Sequence, residues 1–336
     1  MPLAEANTVE CSQYHKPDSR WEVFGGVDFA SYIDNLVIKG LFHQAVPSAV
    51  VESYEVAEYI MAHSWYHYPL YDEALSKLLR ITEMATKLRC QELRIPVVTS
   101  SKSGKGKNKT FDQLINDYCS YEPEKELKDQ LHRIRRIRNI FMHPERHSYG
   151  LGMIGNLVRG LVNVLNSIFL PEQLFIQIKA QLRKINNHLN QFRQQPLVLI
   201  DQGRRYLIEQ VKIVEAFPFN NQWNYCIAAI PVVNNLPEQL QTHSYTLPLG
   251  FEVQDLTLKD DGFSCTEISK ANPVTVQITN HQDNVQTYAS FIEARRQASE
   301  QDRWSYQSFQ DGEMYKYGSR FLYNHQYRFN GISDQS

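Results

Sequence analysis

Near Pro196 the hydrophobic period of this chain changes. Between about Ala45 and Phe192 apolar residues recur at helical spacing, as Ala74, Leu78, Ile81, Ala85 and Leu88 do, and as Leu127, Leu131, Ile134 and Ile137 do. Leu151 to Leu170 is apolar on nearly every side, and Gly152, Gly155 and Gly160 let another helix come close. It reads as a central bundle helix or as one buried at a dimer interface. Pro171 opens a further helix with Leu174, Ile178, Leu182, Ile185 and Leu189 inward. Beyond Pro196 the pattern shortens to β-like runs at 197–200, 206–217, 225–233, 251–258 and 274–279. Clusters of Asn, Pro, Gly and Asp separate them, and a helical piece near 289–300 interrupts them. The expected class is α+β: an N-terminal extension over 1–44, an all-α bundle over 45–195, and a β-rich domain over 196–336.

Length agrees with two cores, since 336 residues exceed what one ordinary core accommodates. With 42% hydrophobic and 21% charged residues the chain is of globular type. Its net charge of −2 supplies no global positive field, so any hold on nucleic acid must come from a local patch. No run approaches the roughly 18 apolar residues of a membrane span. The first residues lack a charged start followed by an apolar stretch, so no secretory signal and no membrane partner are expected. Cys11, Cys90, Cys119, Cys226 and Cys265 are scattered without a CxxC pair. That argues against a zinc site and a disulfide framework, and for a reducing, cytoplasmic setting. No metal and no cofactor are expected.

Three segments carry suggestive chemistry without a specific motif. Thr99 to Thr110 holds Lys102, Lys105, Lys107 and Lys109 and no acid, but does not fit phosphate-loop spacing. It is either a flexible linker between helices or a basic flap that attracts an RNA backbone, together with Arg146. His63 and His67 have a spacing that can grip zinc on a helix, but Pro69 closes the segment, and Trp65, Tyr66 and Tyr68 read as packing aromatics. Arg303 to Phe329 alternates aromatics with cations, a pattern read first as sheet core and second as a stacking platform for single-stranded nucleic acid.

The informative segment is LHRIRRIRNIFMHPERHSYG, residues 131–150. Arg138 follows Ile134 by four residues and Leu131 by seven, so on a regular helix it projects from the apolar stripe. A guanidinium there must be paired or must line a cavity. Pro144 disfavours helical geometry at His143, and a break there lets the imidazole turn back toward Arg138. Arginine on the buried face with histidine at the helix end suits an anionic phosphate.

Arg138-Asn139-Ile140-Phe141-Met142-His143 resembles the signature of the HEPN superfamily: arginine, often then asparagine, and histidine after four to six intervening residues. Arg-x4-His also occurs at Arg183–His188 and Arg320–His325, but only the first has asparagine after arginine, proline after histidine and the matching helical order around it. LSKLLRITEMATKLR, with Glu83 at the edge of its stripe, resembles the family's early helix. The resemblance spans roughly 45–192 and implies a HEPN-like helical bundle. It further implies a homodimer and metal-independent cleavage of RNA by its own 2′-hydroxyl, leaving a 2′,3′-cyclic phosphate. Arg138 would stabilise the phosphate, His143 would exchange protons, and Asn139 would orient one or the other. Glu83 either pairs with Arg138 or is a plain surface carboxylate. His147 is a second proton carrier or part of a solvated turn with Glu145 and Arg146. Arg135 lines the cleft or belongs to a charged helix face, as do Arg133 and Arg136. By analogy with the family, such a nuclease serves as a toxin or antiviral-defence effector with an antitoxin or defence-system partner protein. The alternative is a non-catalytic HEPN-like scaffold that binds a nucleotide, RNA or a protein partner.

Overall fold

A computed structural model describes residues 14–24, 26, 28–99, 106–141, 151–220 and 222–330, without the side chains of 151–154. The chain forms two compact units that divide between Leu170 and Pro171.

The first unit is built on helices α1 (Phe29–Leu36), α2 (Ser48–His63), α3 (Leu70–Glu92), α4 (Phe111–Tyr121), α5 (Lys128–Phe141) and α6 (Leu151–Phe169). A short antiparallel pair, β1 (Val98–Thr99) and β2 (Lys107–Asn108), lies between α3 and α4. α3 is the spine: Ala74, Leu78, Ile81 and Ala85 are buried as their spacing predicts. α4 begins with a capping box in which Thr110 and Gln113 satisfy each other's backbone N–H groups. That fixes where Phe111 and Asp112 enter the bundle. α6 buries Val158, Leu161, Val162 and Leu165.

Residues 14–44 belong to this unit and are not an appendage of it. Trp21 is fully buried, and its indole N–H donates to the Ser64 carbonyl at 2.7 Å. Tyr32 donates to the Met61 carbonyl at 2.6 Å, and its ring meets Trp21 and Trp65. His43 Nε2 donates to the Asn166 carbonyl at 3.0 Å, while Asn166 donates from its side chain to the Leu41 carbonyl. The extension expected over 1–44 is therefore, over its described residues, a layer of the bundle.

The second unit contains a closed six-stranded antiparallel barrel. Its strands are β3 (Leu197–Asp201), β4 (Arg204–Phe219), β5 (Gln222–Pro231), β6 (Leu249–Lys259), β7 (Gly262–Glu267) and β8 (Pro273–Ile278). Each pairs with the next, and β8 returns to β3, so no edge is left open. Inward residues on β4 are Ile208, Val211, Ile213 and Ala216. Strict alternation would keep them two apart. Register shifts at Ile208/Gln210 and Ile213/Glu215 each insert one residue, which bends the strand around the barrel. β5 is buried on both faces: Tyr225, Ile227 and Ala229 point inward, while Ala228 and Ile230 meet an outer layer of helices. That layer comprises α8 (Leu236–Thr242), α9 (Gln282–Gln297) and α10 (Glu300–His325).

Two expectations change here. The helix from Pro171, α7 (Glu172–Leu189), belongs to the barrel unit, where Ile185 and Leu189 join the barrel's interior cluster. The boundary thus lies at 170/171 and not at 195. The segment 303–329, read as sheet core, is mostly α10. Its buried positions, Tyr306, Gln310, Met314, Gly318, Phe321 and His325, follow helical spacing, and Ser299 caps its start. The mixed helix-and-strand class stands, with a barrel in the C-terminal half.

Candidate functional site

α3, α4 and α5 bring one cluster together. Leu131 and Ile134 anchor α5 in the core, which leaves Arg138 at the rim of the same stripe. Arg138 Nη2 lies 2.9 Å from Glu83 Oε2 on α3, with the two side chains 25% and 30% exposed. Its guanidinium carbon sits 5.8 Å from the centre of the Phe111 ring, the first residue of α4. Carboxylate and ring hold the fork on two sides. Arg138 Nε is shut off from solvent and makes no hydrogen bond. Of the two readings of Glu83, pairing is the one found.

One turn earlier a second pair forms. Arg135 Nη2 lies 3.2 Å from Asp112 Oδ1, and His132 Nδ1 is 3.7 Å from that same oxygen. Neither Asp112 nor His132 stood out in the sequence. A short helix around Phe111–Cys119 is what the family-like helical order implies, and α4 fills that place, but nothing local tells where that helix packs. Arg135 is half-buried at this cluster, whereas Arg133 and Arg136 are exposed, as a charged helix face would have them.

Asn139 is exposed on α5, one residue beyond Arg138. His143, Glu145, Arg146 and His147 lie outside the described residues, as do Lys102 and Lys105. Lys107 is exposed on β2, while Lys109 is tied to Asp117 at 2.7 Å, so its charge is already matched within the unit. His63 and His67 are exposed, and among the described residues no group of three or more His, Cys, Asp or Glu side chains is placed to hold a metal ion. Trp65 and Tyr68 are buried against Tyr32 and Trp21.

The other two Arg-x4-His matches sit in different surroundings. His188 Nε2 meets the Lys259 carbonyl at 2.9 Å on an exposed face. His325 is buried beneath α10, where its Nε2 lies 3.1 Å from Glu252 Oε2 and its ring packs on Phe321. Both imidazoles are engaged in holding the barrel unit's own elements together.

The α5 cluster is thus a cationic row, braced by two carboxylates and partly open to solvent. It is suited to gripping an anion that can outcompete a half-exposed carboxylate. No protein-family model matches this chain, and no curated protein or solved structure is significantly similar to it.

Proposed function

We propose that the first unit is a HEPN-type endoribonuclease that cleaves RNA without a metal and works as a cytoplasmic homodimer, a toxin or antiviral-defence effector restrained by a partner protein. The observation that carries this reading is the fixed guanidinium of Arg138, held by Glu83 and Phe111 while part of its fork has no partner. Five residues later the chain delivers His143. In the reaction the 2′-oxygen bonds to the neighbouring phosphorus as its proton passes to a base. The P–O5′ bond breaks, and the departing oxygen takes a proton. His143 is the residue assigned to proton transfer, Arg138 to the charge developing on the phosphate, and Asn139 to orienting one of them.

The test is incubation of the purified protein with RNA in EDTA, with end-group analysis of the products. Wild type should give 2′,3′-cyclic phosphate ends. Arg138→Ala and His143→Ala should each lose about 10²- to 10⁴-fold in rate while remaining folded. A 2′-deoxy nucleotide at the cleavage position should block the reaction. Equal cleavage by all three proteins would overturn the assignment.

A second reading rests on the same ion pair. Arg138 already balanced by Glu83 suits holding a phosphate without turnover, as in a non-catalytic scaffold for a nucleotide, RNA or protein partner. A tight nucleotide complex with no product, abolished by Arg138→Ala, would favour it.

A further inference from the structure

Three groups on α5 share one chemical state. Nε of Arg138, Nε of Arg135 and Nδ1 of His132 are each shut off from solvent, and none makes a hydrogen bond. Polar atoms buried without a partner are rare because their lost hydration is not replaced. One such atom is an irregularity; three on neighbouring turns of one helix are a pattern. Asp112 meets this demand only in part. A single oxygen, Oδ1, faces both Arg135 and His132, and its 3.7 Å distance from the imidazole is too long for a hydrogen bond. Asp112 is itself 45% exposed, so it is a weakly held partner that an incoming anion can displace.

A phosphate has more acceptor oxygens than this carboxylate offers, with a geometry that matches the guanidinium fork. Arg135 and Arg138 are three residues apart, about 4.5 Å along the helix axis. The two cations are also linked through α4, whose Phe111 touches Arg138 and whose next residue, Asp112, touches Arg135. They therefore sit side by side and hold separate counter-ions, Glu83 and Asp112.

Resting on the nuclease reading above, we propose that Arg135, His132 and Asp112 form a second phosphate subsite beside Arg138, so that the substrate is an RNA strand gripped at two neighbouring phosphates. Arg138 takes the phosphate that reacts, and Arg135 with His132 takes its neighbour. Asp112 keeps the Arg135 fork extended while the subsite is empty and gives way when RNA binds. With a net charge of −2, the chain has no broad field to do this work, which makes the local row the determinant of affinity.

The experiment uses the full chain and two probes that cannot be cleaved, 2′-fluoro versions of the dinucleotide UpU and of hexauridylate. Binding is measured over a range of salt concentrations, and cleavage of ordinary hexauridylate is measured in parallel. Arg135→Ala should weaken the hexamer about tenfold and leave UpU unchanged. It should also lower the slope of log Kd against log salt by about one. His132→Ala should weaken the hexamer less, again without affecting UpU. Arg135→Lys, which keeps a cation for Asp112 and so guards against a folding artefact, should retain the salt slope but lose affinity for the hexamer. Equal loss on both probes would overturn the subsite, because Arg135 would then merely support Arg138. So would a salt slope left unchanged by Arg135→Ala. Length-selective loss in a protein that cleaves nothing would leave the subsite standing and remove the nuclease reading; cleavage without length-selective loss would do the reverse.

Discussion

Lys125 is a lysine with a fully buried side chain, and its surroundings show how the first unit tolerates charge in its core. Nζ lies 2.8 Å from Glu122 Oε2 and donates to the Ile168 carbonyl near the end of α6 at 2.8 Å. Glu122 also takes Arg89 at 2.7 Å. Burial pushes the Glu122 carboxyl up, but Arg89 and Lys125 outweigh it and hold it below its ordinary value. Removing either partner has unequal effects. Glu122→Leu deprives a buried ammonium of its carboxylate and should cost about 3–5 kcal/mol. Lys125→Met fills the same space, and Glu122 keeps Arg89, so the loss should be nearer 1–2 kcal/mol. Urea unfolding of the two variants at pH 7 checks the order; a larger loss for Lys125→Met would contradict it. At this scale the candidate site was half legible. Arg138 announced itself by its place in the stripe, and Glu83 was visible as one of two options. Asp112 and His132 were not, since their meeting depends on how α4 docks on α5, a contact between residues 20 apart that no local pattern encodes.

Among the elements, β3, β4, β5, β6 and β8 fall close to their expected runs, β5 as a continuous apolar run buried on both faces, whereas β7 had no expected run because its sequence GFSCTE is short and largely polar. The bulges of β4 were hidden because they break the alternation that reveals a strand. α10 departs from the sheet-core expectation because aromatics that suit a pleated surface here recur every four residues with buried polar and thioether positions, at Tyr306, Gln310 and Met314. Hairpin glycines separate two kinds of constraint. Gly262 follows the turn between β6 and β7, where an added Cβ would overlap the Val276 carbonyl on the adjacent strand. Gly203, in the turn between β3 and β4, has φ +77 but open space around it. Gly203→Ala should therefore cost about 1 kcal/mol, the strain of the left-handed region alone. Gly262→Ala must move backbone in a closed barrel and should exceed about 3 kcal/mol. Thermal melting of the pair tests this, and equal effects would show that the barrel yields at β8.

At the scale of the molecule, the change of pattern at Pro196 marked where helices give way to strands, not where one core ends. α7 is helical by period yet buries its stripe on the barrel, and period says nothing about the partner. The two cores also differ in how protons act on them. In the first, burial holds the His43 imidazole below its ordinary pKa of 6.5, with Lys125 adding to the effect and the Asn166 carbonyl opposing it. A folded pKa below the unfolded one means the unfolded chain binds more protons, so this stability is present above about pH 6.5 and is lost as pH falls. In the second, burial on β4 pushes the Glu215 carboxyl up to about 7 from 4.5, with Lys212 opposing it. Cys226 faces it across β5, and Gly318 of α10 packs against it. Here the folded state binds the extra proton, so stability is present below about pH 4.5 and is lost as pH rises through 7, by about 3 kcal/mol at most. The carboxyls held low, Asp18, Glu122, Glu252 and Glu293, titrate below this window. Between pH 5 and 8 the units should therefore respond in opposite directions. Hydrogen-exchange protection factors, corrected for intrinsic rates, should rise with pH in α2 and α6 and fall in β4 and β5. Glu215→Gln should flatten the second trend and leave the first intact. Parallel trends in both units, or a β4 response that survives the glutamine, would show that some other group governs the barrel.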